Sequence, residues 1–521
     1  MSSSNPPREV PWLIWVVAIF GSVSSAGFGF DQGWWASMMS STQFTRSFGS
    51  YDPAQQAWSL SDRQQSLGTG LGYVGVILGL VCGTPLNERL GRRNSLWLQS
   101  AVVTAGVAIE ASCQDSYAQF LVGKAVVYFA GGIASTVIPV YQGECAPQHL
   151  RGMMTSLYNA FLMVGGFCAA LIVYLCRHVP SDWAWRSVVV AQVAIPAMGW
   201  LSLPFLPESP YWLLRRGRRA AAIASLRRLH ALDAAAAEAE IISIEQQLAL
   251  QQQQQQQEKE LASWMACFTD PIHFRRTLIA VGAQIFQQAQ GISFVANYQA
   301  VFLEQVGFRQ VLLMSVIVYI IGIVGNLTGM FMADRLGRRN VLLPASGLLG
   351  SCMLTIGGLT TPSTSSSSLS IAVVVMLMLW FFTFQSTWGP LAWAITAEIP
   401  PTGTAVREKM VTLAGFSAYG TGLIIVFVNP YTQAAIGGKV AFIYGALSVV
   451  AAVFVWLFVP ETKRVRWRRL TRCSSPECRR VSSGSISARA VHSMQRKPWM
   501  EKHQWMKNVS EWMVQHDIGN G

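Results

Sequence analysis

The chain has 521 residues, of which 51% are hydrophobic and 12% charged, about half the charged fraction of an average soluble chain. This composition excludes a soluble globular protein and indicates a membrane protein. The net charge of +13 does not indicate nucleic-acid binding, because the basic residues lie between and after apolar runs, as in cytoplasmic loops. Nine scattered cysteines, several of them inside apolar runs, predict no disulfide framework.

Apolar runs long enough to cross a membrane, which takes about 20 residues, occur twelve times along the chain. Six precede a polar linker and six follow it, and several are interrupted by Gly, Pro or polar residues, as transport helices often are. The runs cover residues 11–31, 66–87, 94–112, 118–140, 154–176, 187–206, 276–300, 311–333, 341–360, 370–396, 411–431 and 440–459.

The segments outside the runs indicate how the chain is oriented. Lys and Arg are enriched in alternate loops, which predicts that both termini and the middle linker are cytoplasmic. Seven consecutive glutamines at 251–257 are interpreted as an insertion in a helical linker rather than a binding site. The predicted organisation is a cytoplasmic tail (1–10), an N-terminal six-helix bundle (11–206), a cytoplasmic linker (207–275), a C-terminal six-helix bundle (276–460) and a basic cytoplasmic tail (461–521).

A charged hexapeptide occurs twice. The sequence Glu88-Arg89-Leu90-Gly91-Arg92-Arg93 reappears as Asp334-Arg335-Leu336-Gly337-Arg338-Arg339, each time between two apolar runs. Unrelated basic loops could arise from the positive-inside bias alone. The shared order of acid, arginine and glycine instead predicts that the chain consists of two related halves.

An aspartate and a lysine in apolar runs are candidates for a functional pair. Asp31 is near the end of the first run, and Lys124 in the fourth run is its natural cationic partner. A carboxylate in a bilayer is costly unless it is paired or lines water, so Asp31 is a functional candidate. The alternative is an interfacial aspartate near the outer surface with no role in coupling.

The seventh run is unusually rich in amide and hydroxyl groups. Because so many polar groups are unfavourable against lipid, they are expected to line water or a ligand covered with hydroxyls. The alternative is hydrogen bonding between helices. The residues concerned are Gln284, Gln287, Gln288, Gln290, Ser293, Asn297 and Tyr298.

These features resemble the sugar-porter branch of the major facilitator superfamily, over residues 20–463. The resemblance implies two six-helix bundles around a central cavity that opens alternately to either side. Details near Glu398 and in 429–445 look closest to fungal maltose and α-glucoside permeases. The motifs are residues 88–93, 139–147 with Arg151-Gly152, 207–213, 284–298, 334–339, Gly389-Pro390 with Trp393 and Glu398, and 460–463.

The resemblance implies roles for individual residues. Asp31 would carry the coupled proton, with Lys124 where an arginine is usual. Gln287 and Gln288 match a pair of sugar-binding glutamines, and Trp393 matches a tryptophan that stacks on the sugar ring. The expected substrate-binding residues are Asn159, Gln284, Gln287, Gln288, Ser293, Asn297, Tyr298, Trp393 and Tyr419.

Two further departures from the family concern the size of the ligand. Gly166 and Ala418 stand where polar residues are usual. Their small side chains are expected to enlarge the cavity and to suit a larger or less hydroxylated ligand than a hexose.

A cytoplasmic gate is also implied, whose charged residues would bridge the two bundles when the cavity faces outward. For the basic residues, topology marking is the alternative. The loop between Glu398 and Arg407 is longer than usual, which puts the contact between these two in doubt. The expected gate residues are Glu88, Arg89, Arg92, Glu144, Arg151, Glu208, Asp334, Arg335, Arg338, Glu398, Arg407 and Glu461.

The leading functional hypothesis is a secondary active transporter that imports a sugar together with protons. An oligosaccharide such as an α-glucoside, or a related polyol, is the expected cargo. The alternatives are a carrier, including an exporter, for a hydroxyacid, quinate-like compound or secondary metabolite, and a non-transporting nutrient sensor that signals through its tail.

No nucleophile–base pair, metal cluster or phosphate loop is recognised, so no enzymatic activity, cofactor or metal is expected. The expected partners are the sugar or polyol, protons and the lipid bilayer, with no nucleic acid. We expect a monomer in the plasma membrane.

Overall fold

The computed structural model describes residues 11–461 apart from short gaps at 54–55, 115, 148–150, 203, 259–263, 309, 362–366 and 401–404. Expectations about residues 1–10 and the basic tail from 462 onward lie outside the described residues. The described chain is helical except for loops and one small hairpin. The prediction of an all-α membrane protein is confirmed.

The first half of the molecule contains eight helices and the hairpin. In chain order its elements are α1 (Trp12–Met38), α2 (Thr42–Phe48), β1 (Ser50–Asp52), β2 (Ala57–Ser59), α3 (Asp62–Leu90), α4 (Arg92–Ala111), α5 (Tyr117–Cys145), α6 (Arg151–Cys176), α7 (Trp183–Ala191) and α8 (Ala194–Ser202). The antiparallel hairpin β1–β2 and the short α2 form the long loop after α1.

The linker is helical, as the sequence predicts, and the polyglutamine lies within its longest helix. Its elements are α9 (Pro210–Arg215), α10 (Arg219–His230), α11 (Ala234–Glu258) and α12 (Ala266–Thr269). The second half consists of α13 (Pro271–Gln287), α14 (Ser293–Gln305), α15 (Val311–Leu336), α16 (Arg338–Leu359), α17 (Ser367–Ser386), α18 (Trp388–Glu398), α19 (Ala405–Ile436) and α20 (Val440–Phe458).

Within the described residues, the twelve predicted spans are made by α1, α3 to α8 and α13 to α20. Three spans are broken into two helices each, namely α7–α8, α13–α14 and α17–α18. Length and mean hydropathy alone identify nine candidate stretches in this part of the chain, one of which, Lys409–Phe458, contains both α19 and α20. The spans α4 and α13–α14 are not among the nine, because charged and amide side chains lower their hydropathy.

The seventh span bends at a π-helical turn, Gln288–Ile292, between α13 and α14. Gly291 lies in this turn with φ at 113°, a conformation that residues with a Cβ rarely adopt. Turns of this kind occur often at functional sites. The turn separates the polar residues of α13 from those of α14.

Close backbone contact fixes α1 against α6. A Cβ on Gly29 would clash with the carbonyl oxygen of Leu162, and one on Gly165 would clash with that of Ala26. Small residues allow membrane helices to approach this closely. The contact fixes the position of the α1 segment that carries Asp31.

Candidate functional site

A cavity of about 1150 Å³ lies between the two halves. Its wall includes residues of α1, α3, α5 and α6 from the first half and of α13 to α19 from the second. At one end it reaches Arg338 and Glu398, on the side that the sequence predicts to be cytoplasmic. Toward the opposite side, Ser66 Oγ of α3 donates a hydrogen bond of 3.0 Å to the carbonyl oxygen of Phe427 in α19, which joins the halves. The cavity therefore extends toward the predicted cytoplasmic side, and the halves are in contact on the opposite side.

Six of the nine predicted substrate-binding residues line this cavity: Asn159, Gln287, Gln288, Ser293, Trp393 and Tyr419. They come from α6, α13–α14, α18 and α19, so both halves contribute. Gln288 Oε1 accepts a hydrogen bond of 2.7 Å from Ser293 Oγ, and Gln287 Nε2 donates one of 2.9 Å to the carbonyl oxygen of Gly389. These bonds hold the two amides in place at the wall.

The other three predicted residues hold helices together. Gln284 Nε2 donates to Thr396 Oγ1 at 3.0 Å, and Tyr298 donates to the carbonyl oxygen of Val426 at 2.7 Å. Asn297 Nδ2 donates to the carbonyl oxygen of Ser293 at 2.8 Å within α14, and to Tyr73 Oη of α3 at 3.4 Å. All three are buried and none lines the cavity. For them, the alternative interpretation of structural hydrogen bonding describes the contacts better than substrate binding does.

Several polar and aromatic residues of the cavity wall were not predicted. An amide inside an apolar run is the available signal for Asn326 and Gln385, and an amide directly after Asp31 is the signal for Gln32. For the tyrosines no signal distinguished cavity from core positions. The unpredicted lining residues with polar groups include Gln32, Tyr73, Ser135, Tyr158, Gln299, Tyr319, Asn326 and Gln385.

The two small residues expected to enlarge the cavity do not do so. A Cβ on Gly166 would clash with the ring of Tyr319 in the second half, so this ring fills the space beside the glycine. Ala418 is 1% exposed and is not part of the wall. The expectation that these two positions enlarge the site is wrong, because the ring of Tyr319 occupies the space that the small side chain of Gly166 leaves.

Asp31 and Lys124 are both buried in the first half, 0% and 1% exposed, so Asp31 is not at an exposed interface. Trp34 Nε1 donates a hydrogen bond of 2.9 Å to Asp31 Oδ1. Lys124 Nζ lies 3.2 Å from the ring centroid of Trp35 and makes no hydrogen bond within the described residues. Lys124 interacts electrostatically with Asp31, but the aromatic ring is its direct contact.

Both copies of the repeated hexapeptide make the same turn. Gly91 has φ at 89° and Gly337 at 96°, and a Cβ on either would lie within 2.6 Å of a carboxylate, that of Glu208 or Glu461. Each carboxylate accepts a backbone hydrogen bond, from Arg92 N to Glu208 at 2.9 Å and from Arg338 N to Glu461 at 3.0 Å. The internal repeat is therefore also a structural repeat.

Burial raises the pKa of Glu208, and hydrogen bonds from the backbone N–H groups of Ser209, Arg93 and Arg92 oppose this rise. The Glu208 carboxylate is thus held by main-chain donors that include those at the start of α4, where negative charge is favourable.

Arginine–carboxylate pairs stand beside these turns. Arg92 pairs with Glu144 at 2.7 Å within the first half, and Arg338 pairs with Glu398 at 2.9 Å within the second. Each of these two pairs lies within one half and does not bridge the halves, and the second pair lines the cavity. Their role in a cytoplasmic gate stays a prediction.

The remaining gate residues are more peripheral. Arg407 Nη2 donates to the carbonyl oxygen of Ala397 at 3.2 Å, next to Glu398. Glu88, Arg89 and Arg335 are exposed, and the carbonyl groups of Glu88 and Arg89 accept hydrogen bonds from Arg216. The side chains of Arg151 and Asp334 lie outside the described residues.

Comparison with known proteins supports a transporter. The family model described as sugar (and other) transporter matches residues 16–472. The probable glucose transporter rco-3 of Neurospora crassa is 27% identical over 469 residues, covering 86% of this chain and 77% of that protein. In Schizosaccharomyces pombe, the high-affinity glucose transporter ght2 is 27% identical over 459 residues (86% and 85% covered), and the high-affinity gluconate transporter ght3 is 25% identical over 455 residues (86% and 81%).

The fold is that of a solved transporter. The inward-open structure of the xylose transporter XylE from E. coli superposes with a TM-score of 0.72 at 22% identity, covering 88% of this chain and 99% of that one. The relatives are named for glucose and gluconate rather than for maltose or α-glucosides, and they are transporters, not enzymes. The twelve spans, the repeated turns and the family match over most of the chain together show that this multi-pass membrane protein belongs to the sugar (and other) transporter family and has the fold of the major facilitator superfamily.

Proposed function

We propose that the chain imports a sugar together with a proton across the plasma membrane by alternating access. In this proposal residues 11–206 and 276–460 are the two moving bundles, residues 207–275 are a cytoplasmic linker, and both termini are cytoplasmic. The observation that carries the proposal is a cavity between the halves lined with amides and aromatic rings, in a chain that has a buried carboxylate beside a buried lysine.

The cavity wall suits a ligand with many hydroxyl groups. Gln287, Gln288 and Asn159 offer amides that both donate and accept hydrogen bonds. Trp393 is 38% exposed and lines the cavity, so its ring can stack on the C–H face of a sugar. In small-molecule sites a few placed polar groups fix the orientation of the ligand, and apolar or aromatic groups line the rest of the pocket. The amides and the Trp393 ring fit this arrangement.

A hexose is the first candidate for the cargo. The packing of Tyr319 on Gly166 removes one reason to expect a larger ligand, and glucose transporters are among the relatives. The α-glucoside hypothesis remains a prediction, because a cavity of about 1150 Å³ also has room for a disaccharide.

Coupling to protons rests on Asp31. Asp31 is fully buried and, within the described residues, accepts a hydrogen bond from Trp34 alone. Such a carboxylate is stabilised in surroundings without water by binding a proton. Because Gln32, the next residue, lines the cavity, the protonation of Asp31 can depend on what occupies the cavity and on which side is open.

The experiment is uptake of radiolabelled sugars by cells or proteoliposomes that contain the protein. Glucose, fructose, xylose, maltose and gluconate would each be tested with an acidic exterior, without a pH gradient, and with a protonophore. We expect accumulation of a sugar only with the gradient. Uptake that equilibrates but never accumulates would reject proton coupling and keep sugar transport, whereas no uptake of any sugar would reject both.

Hydroxyacid transport is a second candidate, for which the gluconate-transporting relative and the cavity position of Arg338 are specific reasons. A guanidinium in the wall can bind a carboxylate. Gluconate that competes with glucose more strongly than sorbitol does would favour this candidate.

A further inference from the structure

Glu110 is a buried acid that the proposed transport mechanism does not use. It lies in the last turn of α4 and is 0% exposed. Neither carboxylate oxygen has a hydrogen-bond partner within the described residues. An acid buried in this way is costly unless it is neutral or close to a cation, so its presence within a membrane span needs a functional explanation.

The surroundings of Glu110 place it beside the lysine already associated with Asp31. Glu110 interacts electrostatically with Lys124 of α5 and with Asp31 of α1. A Cβ on Gly123, which precedes Lys124, would lie 2.6 Å from Glu110 Cγ. The glycine therefore makes room for the acid to lie against α5, one residue away from the amine.

The other groups around Glu110 are few. The amide of Gln192, next to α7, faces the carboxylate, and the phenol of Tyr128 on α5 also interacts with it. Arg186 of α7 is held elsewhere, since it donates to the carbonyl oxygen of Cys113 at 3.0 Å and lies 3.8 Å from Asp182. The helix α8, which also packs on α4, has no ionisable residue.

The net charge of the cluster follows from Asp31, Glu110 and Lys124. With both acids ionised and Lys124 protonated, the buried cluster has a net charge of minus one. Adding one proton from water to a carboxylate oxygen forms an O–H bond and makes the cluster neutral. Since an uncompensated buried charge is costly, the neutral, once-protonated cluster is the stable form in this closed environment.

We propose that Glu110 is the second acid of the proton-binding site, so that one proton is shared between Asp31 and Glu110 around a common Lys124. This rests on the proposed function, because it assigns a further residue to proton coupling. Each acid raises the affinity of the other for the proton by like-charge repulsion, and the titration belongs to the cluster rather than to Asp31 alone.

The test is the dependence of sugar uptake on external pH in the full-length protein. In E110Q, Asp31 and Lys124 form a neutral pair without a proton, so loading needs a more acidic exterior. The external pH of half-maximal uptake is expected to fall by about one unit or more. E110D, which keeps the charge but withdraws it by one methylene, is expected to shift the profile in the same direction by less. E238Q, at an exposed acid of the linker helix α11, is the control and is expected to keep the wild-type profile.

A profile in E110Q that coincides with the wild type would overturn the proposal. If E110Q does not reach the membrane, an unchanged profile in E110D overturns it instead. Wild-type uptake that does not depend on pH would reject the proposed coupling itself, and this inference with it. The wild type is measured first, so a failure of proton coupling is distinguished from a failure of the role of Glu110.

Discussion

Arg92 and Glu144 are joined by two hydrogen bonds of 2.7 Å, one from Nε to Oε2 and one from Nη2 to Oε1. The second half repeats the pair with Arg338 and Glu398 at 2.9 Å. The first pair is more buried, with side chains 4% and 15% exposed against 18% and 24% in the second. One repeated motif thus makes two pairs that should differ in energy.

Neutralising the acid of each pair should measure this difference. In E144Q the buried guanidinium of Arg92 loses its counter-charge, and we expect the free energy of unfolding to fall by about 3 kcal/mol. The matched change E398Q leaves Arg338 more accessible to water and should cost about 1 kcal/mol. Thermal and denaturant unfolding of the purified proteins in detergent would compare them. Equal losses would contradict the assignment of unequal burial.

The two motif glycines should not tolerate a side chain. In G91A and G337A the new Cβ would meet the carboxylate of Glu208 or Glu461 in a backbone conformation unfavourable for alanine. We expect each variant to lose about 1–3 kcal/mol of stability.

G143A, in the helix α5, is the control for both substitutions. In the described part of the chain nothing lies within 4 Å of the Cβ it would add, so this variant should be as stable as the wild type or slightly more so. Unfolding midpoints measured side by side provide the check. A stable G91A would mean that the turn can relax.

The sequence predicts the spans well because each needs a long apolar run, and the repeat reveals the two halves. Even α4 and the seventh span, which mean hydropathy alone misses, follow from the run pattern. The directions in which side chains point are harder to predict. Gln284 and Gln288 are one helical turn apart, yet only Gln288 lines the cavity, at the start of the π-helical turn.

Contacts between segments that are distant in the sequence account for the other differences between the expectations from the sequence and the structure. Tyr319 of α15 fills the space beside Gly166 of α6, and nothing local to either run indicates this contact. Glu110 lies at the end of its run, where an acid is expected to face the membrane surface. Only the crossing of α4 with α5 at Gly123 makes it a buried neighbour of Lys124.

The two glutamines allow a matched test of the cavity. Q288A removes an amide from the wall, and we expect the sugar concentration for half-maximal uptake to rise about three- to tenfold for one lost hydrogen bond. Q284A removes the bond to Thr396 instead and should lower stability while leaving this concentration within about twofold. Initial uptake rates over a range of sugar concentrations provide the measurement. If Q284A raised the sugar concentration for half-maximal uptake more than Q288A does, the sugar-binding site would not be the cavity wall at Gln288.

Replacing Asp31 with asparagine should separate transport from accumulation. If one proton accompanies each sugar, a gradient of about one pH unit supports about a tenfold sugar gradient, since each unit is worth about 1.4 kcal/mol. D31N leaves Glu110 and Lys124 as a neutral pair, so the accumulation ratio should fall to about one. Exchange of internal for external sugar at equal concentrations needs no net proton movement and should continue. D182N, at an exposed aspartate before α7, serves as the control and should accumulate sugar normally. If D31N still concentrates sugar against its gradient, the coupled proton is bound by another group.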